Sequence, residues 1–410
     1  RDRGGLSGIN GLPNRTRAHP CLRANRAAAS SSRLNRHPVR MCALAYNHRT
    51  IGRENVTTEL RDAITFIDGS VGRMRLNRPK AINALNLDMV RAMTDALMQW
   101  RMNHDVQLVM LDHADGRGFC AGGDVVTIAR SATGHGAAGD AFFYQEYRLN
   151  HLMYTYMKPG IVFMDGITMG GGVGISLPCR YRIATERTMF AMPETGIGLF
   201  PDVGGGRYLS RLPGRLAQYL GLTGGRLDGA ECLEVGLATH YIPSDRLEDV
   251  KEQICLHPEG AAVILDRASE KPLHANILDR MDDINRLFAS DRLEDVLSAL
   301  EADPSDWAQK QLKILQAKSP LSCKVTLRLL VVSPHFGDFA DEMRLEFGIM
   351  HRLFRQPDFV EGVRALLIDK DNDPQWTPAT PQEVTDELVN RIFEPLPKQQ
   401  AWKPIELPDV

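Results

Sequence analysis

The chain has 410 residues, of which 43% are apolar, and a formal net charge of −2. That length suits one large domain or two ordinary ones with a sizeable core. The near-neutral charge gives no electrostatic case for binding nucleic acid or an anionic membrane surface.

No apolar run approaches the length of about eighteen residues that a membrane-spanning helix needs. The nearest stretch, 160–177, contains Asp165 and many glycines. The seven cysteines are scattered and none forms a CxxC pair. This predicts a reducing compartment and neither a disulfide framework nor a zinc cluster.

The first fifty residues stand apart. They hold ten arginines, much Ala and Ser, and the single acid Asp2. Two readings stay open: a mitochondrial transit peptide, placing the protein in the matrix, or an upstream stretch preceding a start at Met41, which leaves the cytoplasm. Residues 1–55 are therefore set aside from the fold. The rest divides into a core over 56–245, a helical region over 246–390 and a tail over 391–410.

In chain order, the runs Ala63–Asp68 and Val71–Leu76 flank Gly69–Ser70 and predict a hairpin. Met89, Val90, Met93, Ala96, Leu97 and Trp100 recur at helical spacing. A buried-type strand over Val106–Leu111 leads to the turn Phe119–Asp124. Phe142, Phe143, Tyr147, Leu149 and Met153 predict a helix. The strand Gly160–Met164 runs into the glycine cluster 170–174, and a third apolar segment, Tyr181–Ala184, precedes Phe190–Glu194. This repeated strand, glycine turn and helix predicts an α/β fold with functional groups gathered where strands hand over to helices.

Beyond about Asp245, Leu278, Met281, Ile284 and Leu287 are expected on one helix face, Val296, Leu297 and Leu300 on another. Ser319–Pro320 starts a further helix, because proline's missing N–H costs little in the first turn. The proline-rich end from Pro395 is expected to be poorly ordered.

Several chemistries find no support. The glycine cluster does not meet GxGxxG and lacks the GK[ST] of a phosphate-binding loop. No serine lies in GxSxG. His113, His135, His151 and His240 show no metal-ligand spacing, and no histidine is placed by sequence to activate Cys120, which is expected to be packing. No metal and no cofactor is predicted.

Three segments carry the function together: Phe119–Asp124, Ile167–Gly174 and Phe190–Gly206. Their order and spacing resemble the crotonase (enoyl-CoA hydratase/isomerase) superfamily over about residues 60–245. The segments MPETGIGLFPDVGGG (Met192–Gly206) and EGVRALLIDKD (Glu361–Asp371), followed by Trp376, resemble its 3-hydroxyisobutyryl-CoA hydrolase branch. The resemblance implies a crotonase-like spiral of repeated ββα units followed by a helical C-terminal region. It implies an acyl-CoA substrate, with CoA as part of that substrate. A homo-oligomer is compatible with it.

The resemblance also implies an oxyanion hole made by the backbone N–H groups of Ala121 and Gly171. Two such donors stabilise the charge on an attacked thioester carbonyl, and loss of one typically costs about 10²–10³ in rate. Glu194 becomes the leading catalytic carboxylate, Asp202 a second acid near the thioester, and Glu146 a substrate contact. Read without the resemblance, the glycines are ordinary tight turns, Glu194 a helix-start acid, Asp202 a turn cap and Glu146 a solvated helix-face residue.

Hydratases of this type carry a first glutamate just after the triple glycine, where this chain has Gly174. Hydration would lack a partner carboxylate, so hydrolysis of a short β-hydroxyacyl-CoA is expected. The alternatives are an enoyl-CoA isomerase or hydratase, and a non-enzymatic crotonase-fold binding protein.

Overall fold

The computed structural model describes residues 61–407 except 133, 135 and 273. The readings made on the Arg-rich N-terminus, Met41 and His135 lie outside the described residues.

Strands β1 (Ala63–Asp68) and β2 (Val71–Leu76) form the expected antiparallel hairpin, with Gly69 at φ +58° in the turn. Glycine takes this left-handed conformation without a Cβ clash. From β2 onward the sheet is parallel: β3 (Leu108–His113), β4 (Gly160–Met164), β6 (Tyr181–Ala184) and β9 (His240–Tyr241) follow in the order β1-β2-β3-β4-β6-β9. Its inner strands are nearly continuous apolar runs, as a sheet covered on both faces requires. Strand β3 starts two residues later than expected, because the Val106 N–H is taken by the Asn103 carbonyl in the preceding turn.

A smaller sheet pairs β5 (Ile167–Met169), β7 (Met189–Ala191) and β8 (Leu227–Asp228). The chain alternates between the two sheets. From β4 it passes to β5 and the one-turn helix α4 (Gly171–Gly174), and from β6 to β7 and the 3-10 turn Glu194–Ile197. After β3, Cys120 bridges to Thr168 of β5 before the helix α2 (Val125–Ala132). This is the expected ββα spiral: β5 and β7 each deliver one functional turn, and the bridge at Cys120 delivers the third.

The helix α1 (Leu87–Met102) is capped by Asn86, whose side chain accepts the Met89 N–H, and it buries the six apolar residues that the spacing marked. Helix α3 (Ala137–Tyr154) buries Phe142, Phe143, Tyr147, Leu149 and Met153, also as expected. Ser319 caps Pro320–Val332 through the Ser322 N–H.

Two expectations are corrected. A 3-10 turn over Asn276–Arg280 precedes the α-helix Met281–Leu287, so Leu278 falls off the apolar face and is exposed while Ile284 and Leu287 are buried. The C-terminal stretch is docked. Trp402 is fully buried, with its Nε1–H donating to the Tyr144 carbonyl at 3.2 Å, and Arg148 donates to the carbonyls of Lys403 and Pro404. Burial of a whole indole outweighs what the prolines suggest. The tail thereby braces α3.

Candidate active site

The turn after β3 is tied on both sides. Cys120 exchanges hydrogen bonds with β5, its N–H to Ile167 O at 2.8 Å and its carbonyl from Met169 N–H at 2.9 Å. On the opposite side the Ala121 N–H donates to Ile82 O (3.0 Å), and the Gly122 carbonyl accepts from Leu85 N–H (2.8 Å). The predicted donor Ala121 is therefore already engaged, and it faces away from β5.

The next peptide leaves an N–H available instead. In a trans peptide the N–H points opposite to the preceding carbonyl. The Gly122 carbonyl points at Leu85, so the Gly123 N–H points toward the β5–α4 turn. Among the described residues it donates no hydrogen bond. The sequence signal was present, since two adjacent glycines let the chain approach a substrate, but register alone could not choose between 121 and 123.

Gly171 is the other expected donor. It opens α4, where the first N–H groups lack intrahelical acceptors. Gly170, at φ +48°, accepts from Val173 and Gly174, which leaves the Gly171 N–H projecting from the front of the turn. The two glycine turns touch, since a Cβ on Gly122 would stand 3.8 Å from Gly171 N.

Three carboxylates gather here, Glu146 and Glu194 beside the glycine turns and Asp202 near enough to both to act on them electrostatically. Glu146 projects from α3, buried and not solvated, and a Cβ on Gly171 would overlap its Oε1. Glu194 begins its 3-10 turn, with Oε1 2.9 Å from where a Cβ on Gly170 would lie. Asp202 does not use its side chain to cap the following turn. Its Oδ2 accepts the hydroxyl of Tyr147 at 2.7 Å, and both residues are buried. Tyr147 was read from sequence only as a core position; nothing in the pattern marked its hydroxyl.

Among the described residues, Glu146 Oε1 and Glu194 Oε2 have no hydrogen-bond partner. Burial, then the nearby Asp202, holds Glu194 well above the usual carboxylate range, against a smaller opposing pull from Lys318. Burial followed by Asp202 and Glu194 does the same to Glu146. Burial raises Asp202 to about 7, with the Tyr147 hydrogen bond pulling the other way. Carboxyls with raised affinities for protons can exchange them near neutral pH, which suits acid–base work on one substrate. Cys120 is unsuited to nucleophilic work: burial pushes its thiol up to about 12.

The structure also gives a reason for Gly174. A Cβ there would stand 2.6 Å from Val203 Cβ and 2.9 Å from Asn150 Nδ2. Val203 sits at φ +55°, a left-handed conformation that costs a non-glycine residue about 1–2 kcal/mol. The turn that delivers Asp202 thus fills the space in which a longer residue at 174 would begin.

The C-terminal helices hold the Glu194 turn. Ser319 N–H donates to Thr195 O (3.1 Å), and its hydroxyl donates to Asp358 (2.6 Å). Asp358 also accepts the Thr377 N–H, and Trp376 Nε1–H reaches Ala317 O. Arg364 pairs with Glu361, Asp369 and Asp371. Gly362 lies against the end of the Glu194 turn, where a Cβ would stand 2.6 Å from Ile197 Cα, so the motif over 361–371 packs behind Glu194.

A stability prediction follows from Asp202. Its proton affinity is raised from 3.8 to about 7 on folding. Between those pH values the unfolded chain has lost this proton and the folded one keeps it, so stability falls as pH rises and the full cost is present above 7. Asp202→Asn keeps an acceptor for Tyr147 without the ionisation. Denaturant titrations are expected to show this variant gaining stability over the parent from pH 5 to pH 8; a constant difference would contradict the burial argument.

Comparison with known proteins accords with this geometry. A family model described as enoyl-CoA hydratase/isomerase matches residues 71–393. The chain belongs to the enoyl-CoA hydratase/isomerase family. It is 41% identical over 341 residues to the mitochondrial 3-hydroxyisobutyryl-CoA hydrolase of Xenopus tropicalis, covering 80% of this chain and 87% of that one. With the enzyme of the same name from Homo sapiens it shares 39% over 337 residues, again 80% and 87%.

Among solved family members, a carnitinyl-CoA dehydratase from Mycobacterium thermoresistibile superposes with a TM-score of 0.79 at 36% identity, covering 82% of this chain and 97% of that one. An enoyl-CoA hydratase from Rhodobacter sphaeroides gives 0.78 at 35%, covering 84% and 100%. The ββα spiral and helical C-terminal region predicted for this family are thus present. No described helix is long and apolar enough to cross a membrane.

Proposed function

We propose that the protein hydrolyses 3-hydroxyisobutyryl-CoA, and similar short β-hydroxyacyl-CoAs such as 3-hydroxypropionyl-CoA, to the free acid and CoA. The observation that carries this reading is the cluster of three buried carboxylates, two of them against the Gly170–Gly171 turn, combined with a position 174 that has no room for a hydratase glutamate. The names of the curated relatives support it. They also support a place in valine breakdown in the mitochondrial matrix, in keeping with the Arg-rich N-terminus.

In this reading the thioester carbonyl oxygen lies against the N–H groups of Gly123 and Gly171. Glu194 either takes a proton from the attacking water or attacks the carbonyl itself to give an anhydride that water then opens. The carbon–sulfur bond breaks and CoA leaves as the thiol after receiving a proton. Asp202, oriented by Tyr147, moves protons between water and leaving group. Glu146 holds the β-hydroxyl. The reading calls for no metal or redox cofactor.

The names of the two structural neighbours favour a second reading, water addition to or loss from an acyl-CoA. Thiol release across a panel of short acyl-CoAs separates the two. The expected result is free CoA, with kcat/KM highest for β-hydroxyacyl esters; hydration of crotonyl-CoA without thiol release would establish the second reading. In the same assay Glu146→Ala is expected to lower kcat/KM for β-hydroxyacyl esters about 10-fold or more relative to unsubstituted ones, the discrimination lost with a buried hydrogen bond. An equal effect on both substrate types would remove Glu146 from hydroxyl recognition.

A further inference from the structure

The segment that delivers Asp202 has an unusual support. Val203 and Gly204 both lie in the left-handed region, at φ +55° and +88°. A β-branched residue keeps such a conformation only where its surroundings enforce it, and such residues cluster at functional sites. The enforcement comes from the helix Phe339–Leu353. Its Glu346 is fully buried, and its carboxylate accepts the Gly204 N–H at 2.7 Å and the Gly206 N–H at 3.3 Å.

Among the described residues, no cation pairs with this carboxylate. Arg207 lies instead with Glu342, one helical turn earlier, at 3.6 Å. A buried carboxyl without a counter-ion is a costly way to hold a loop. Its use here is specific: each oxygen takes one N–H of the turn that begins at Asp202. The next residue of the same helix, Phe347, packs edge-on against Tyr147, the hydrogen-bond donor to Asp202, with ring centroids 6.2 Å apart. One stretch of helix therefore fixes Asp202 from two directions, through its backbone and through its partner.

We infer that Glu346 is a positioning residue for the hydrolysis: its carboxylate clamps the Val203–Gly206 turn and so holds the Asp202 carboxyl in register with Tyr147 and the thioester. This rests on the proposed role of Asp202. Without the clamp, Val203 relaxes toward negative φ and swings the preceding side chain, and a misplacement of about 1 Å can cost on the order of 100-fold in rate.

The test is a double-mutant cycle between Glu346→Gln and Asp202→Asn, with thiol release from 3-hydroxyisobutyryl-CoA as the readout and thermal melting as a folding check. Gln retains one acceptor oxygen and presents N–H₂ to the second turn amide. The expected result is a fall in kcat of about 10- to 100-fold for Glu346→Gln, with KM within about threefold, and little further loss when it is added to Asp202→Asn. Equal fractional losses in both backgrounds, or a rise in KM matching the fall in kcat, would overturn the inference, because the residue would then act through general stability or binding. If Glu346→Gln does not fold, the same cycle with Glu346→Asp, which keeps both acceptor oxygens on a shorter arm, applies the same criterion. Absence of thiol release by the unmodified protein would instead sink the functional reading. A kcat for Asp202→Asn equal to that of the parent would remove Asp202 from the mechanism, and Glu346 with it.

Discussion

Glu194→Gln is expected to remove nearly all thioester hydrolysis while leaving acyl-CoA binding and the fold intact. The amide fills the same volume beside Gly170 but can neither accept a proton nor attack a carbonyl. Its ionisable parent is buried, has one oxygen without a partner and faces the Asp202 charge, so the substitution also removes a repulsion. General acid–base contributions are typically about 10²–10⁴, and a lost nucleophile costs at least as much. Asp202→Asn is expected to cost less. Thiol release at saturating substrate, with ligand binding measured separately, decides the matter: a Glu194→Gln protein retaining more than about a tenth of the activity, well inside any acid–base effect, would exclude Glu194 as the central group.

Substitution of Gly171 is expected to have the second largest effect. A Cβ there would meet Glu146 Oε1, stand 3.2 Å from Leu85 Cδ1 and 3.4 Å from the Gly122 carbonyl carbon. None of these can retreat without disturbing the site, and the displaced turn would no longer aim its N–H at the carbonyl oxygen. Gly171→Val is expected to lower kcat by about 10²–10³, the typical worth of one oxyanion donor, and to reduce the melting temperature because two or three core contacts must shift. Gly171→Ala is the milder probe and should retain the fold while still losing most activity. Turnover by Gly171→Ala equal to that of the parent, in a protein with an unchanged circular dichroism spectrum, would reduce this turn to a structural feature.

Much of this arrangement was legible in the sequence because it rests on local rules. The hairpin, α1 and α3 each declared themselves through periodicity, and the glycine turns through the order of their segments. The placement of Glu146, Glu194 and Asp202 together followed from the family resemblance, and the structure brings all three to one buried cluster. What escaped was set by direction or by distant packing. The choice of Gly123 over Ala121 depends on which way one peptide faces, and that is fixed by hydrogen bonds to Ile82 and Leu85 about forty residues upstream. Tyr147 and Glu346 have functional contacts only because α3 and the helix Phe339–Leu353 meet over the Asp202 turn. The docking of Trp402 depends on a surface of α3 that no local pattern reveals.

The central claim is that this site cleaves the thioester and does not hydrate a double bond. The most direct measurement is to offer the purified protein 3-hydroxyisobutyryl-CoA and crotonyl-CoA in parallel, following free thiol and loss of the conjugated enoyl absorbance in each. The account predicts stoichiometric thiol release from the first substrate and no appreciable hydration of the second, because Val203 and Asn150 occupy the space beside Gly174 that a second glutamate would need. Rapid loss of enoyl absorbance with no thiol released from either ester would contradict it.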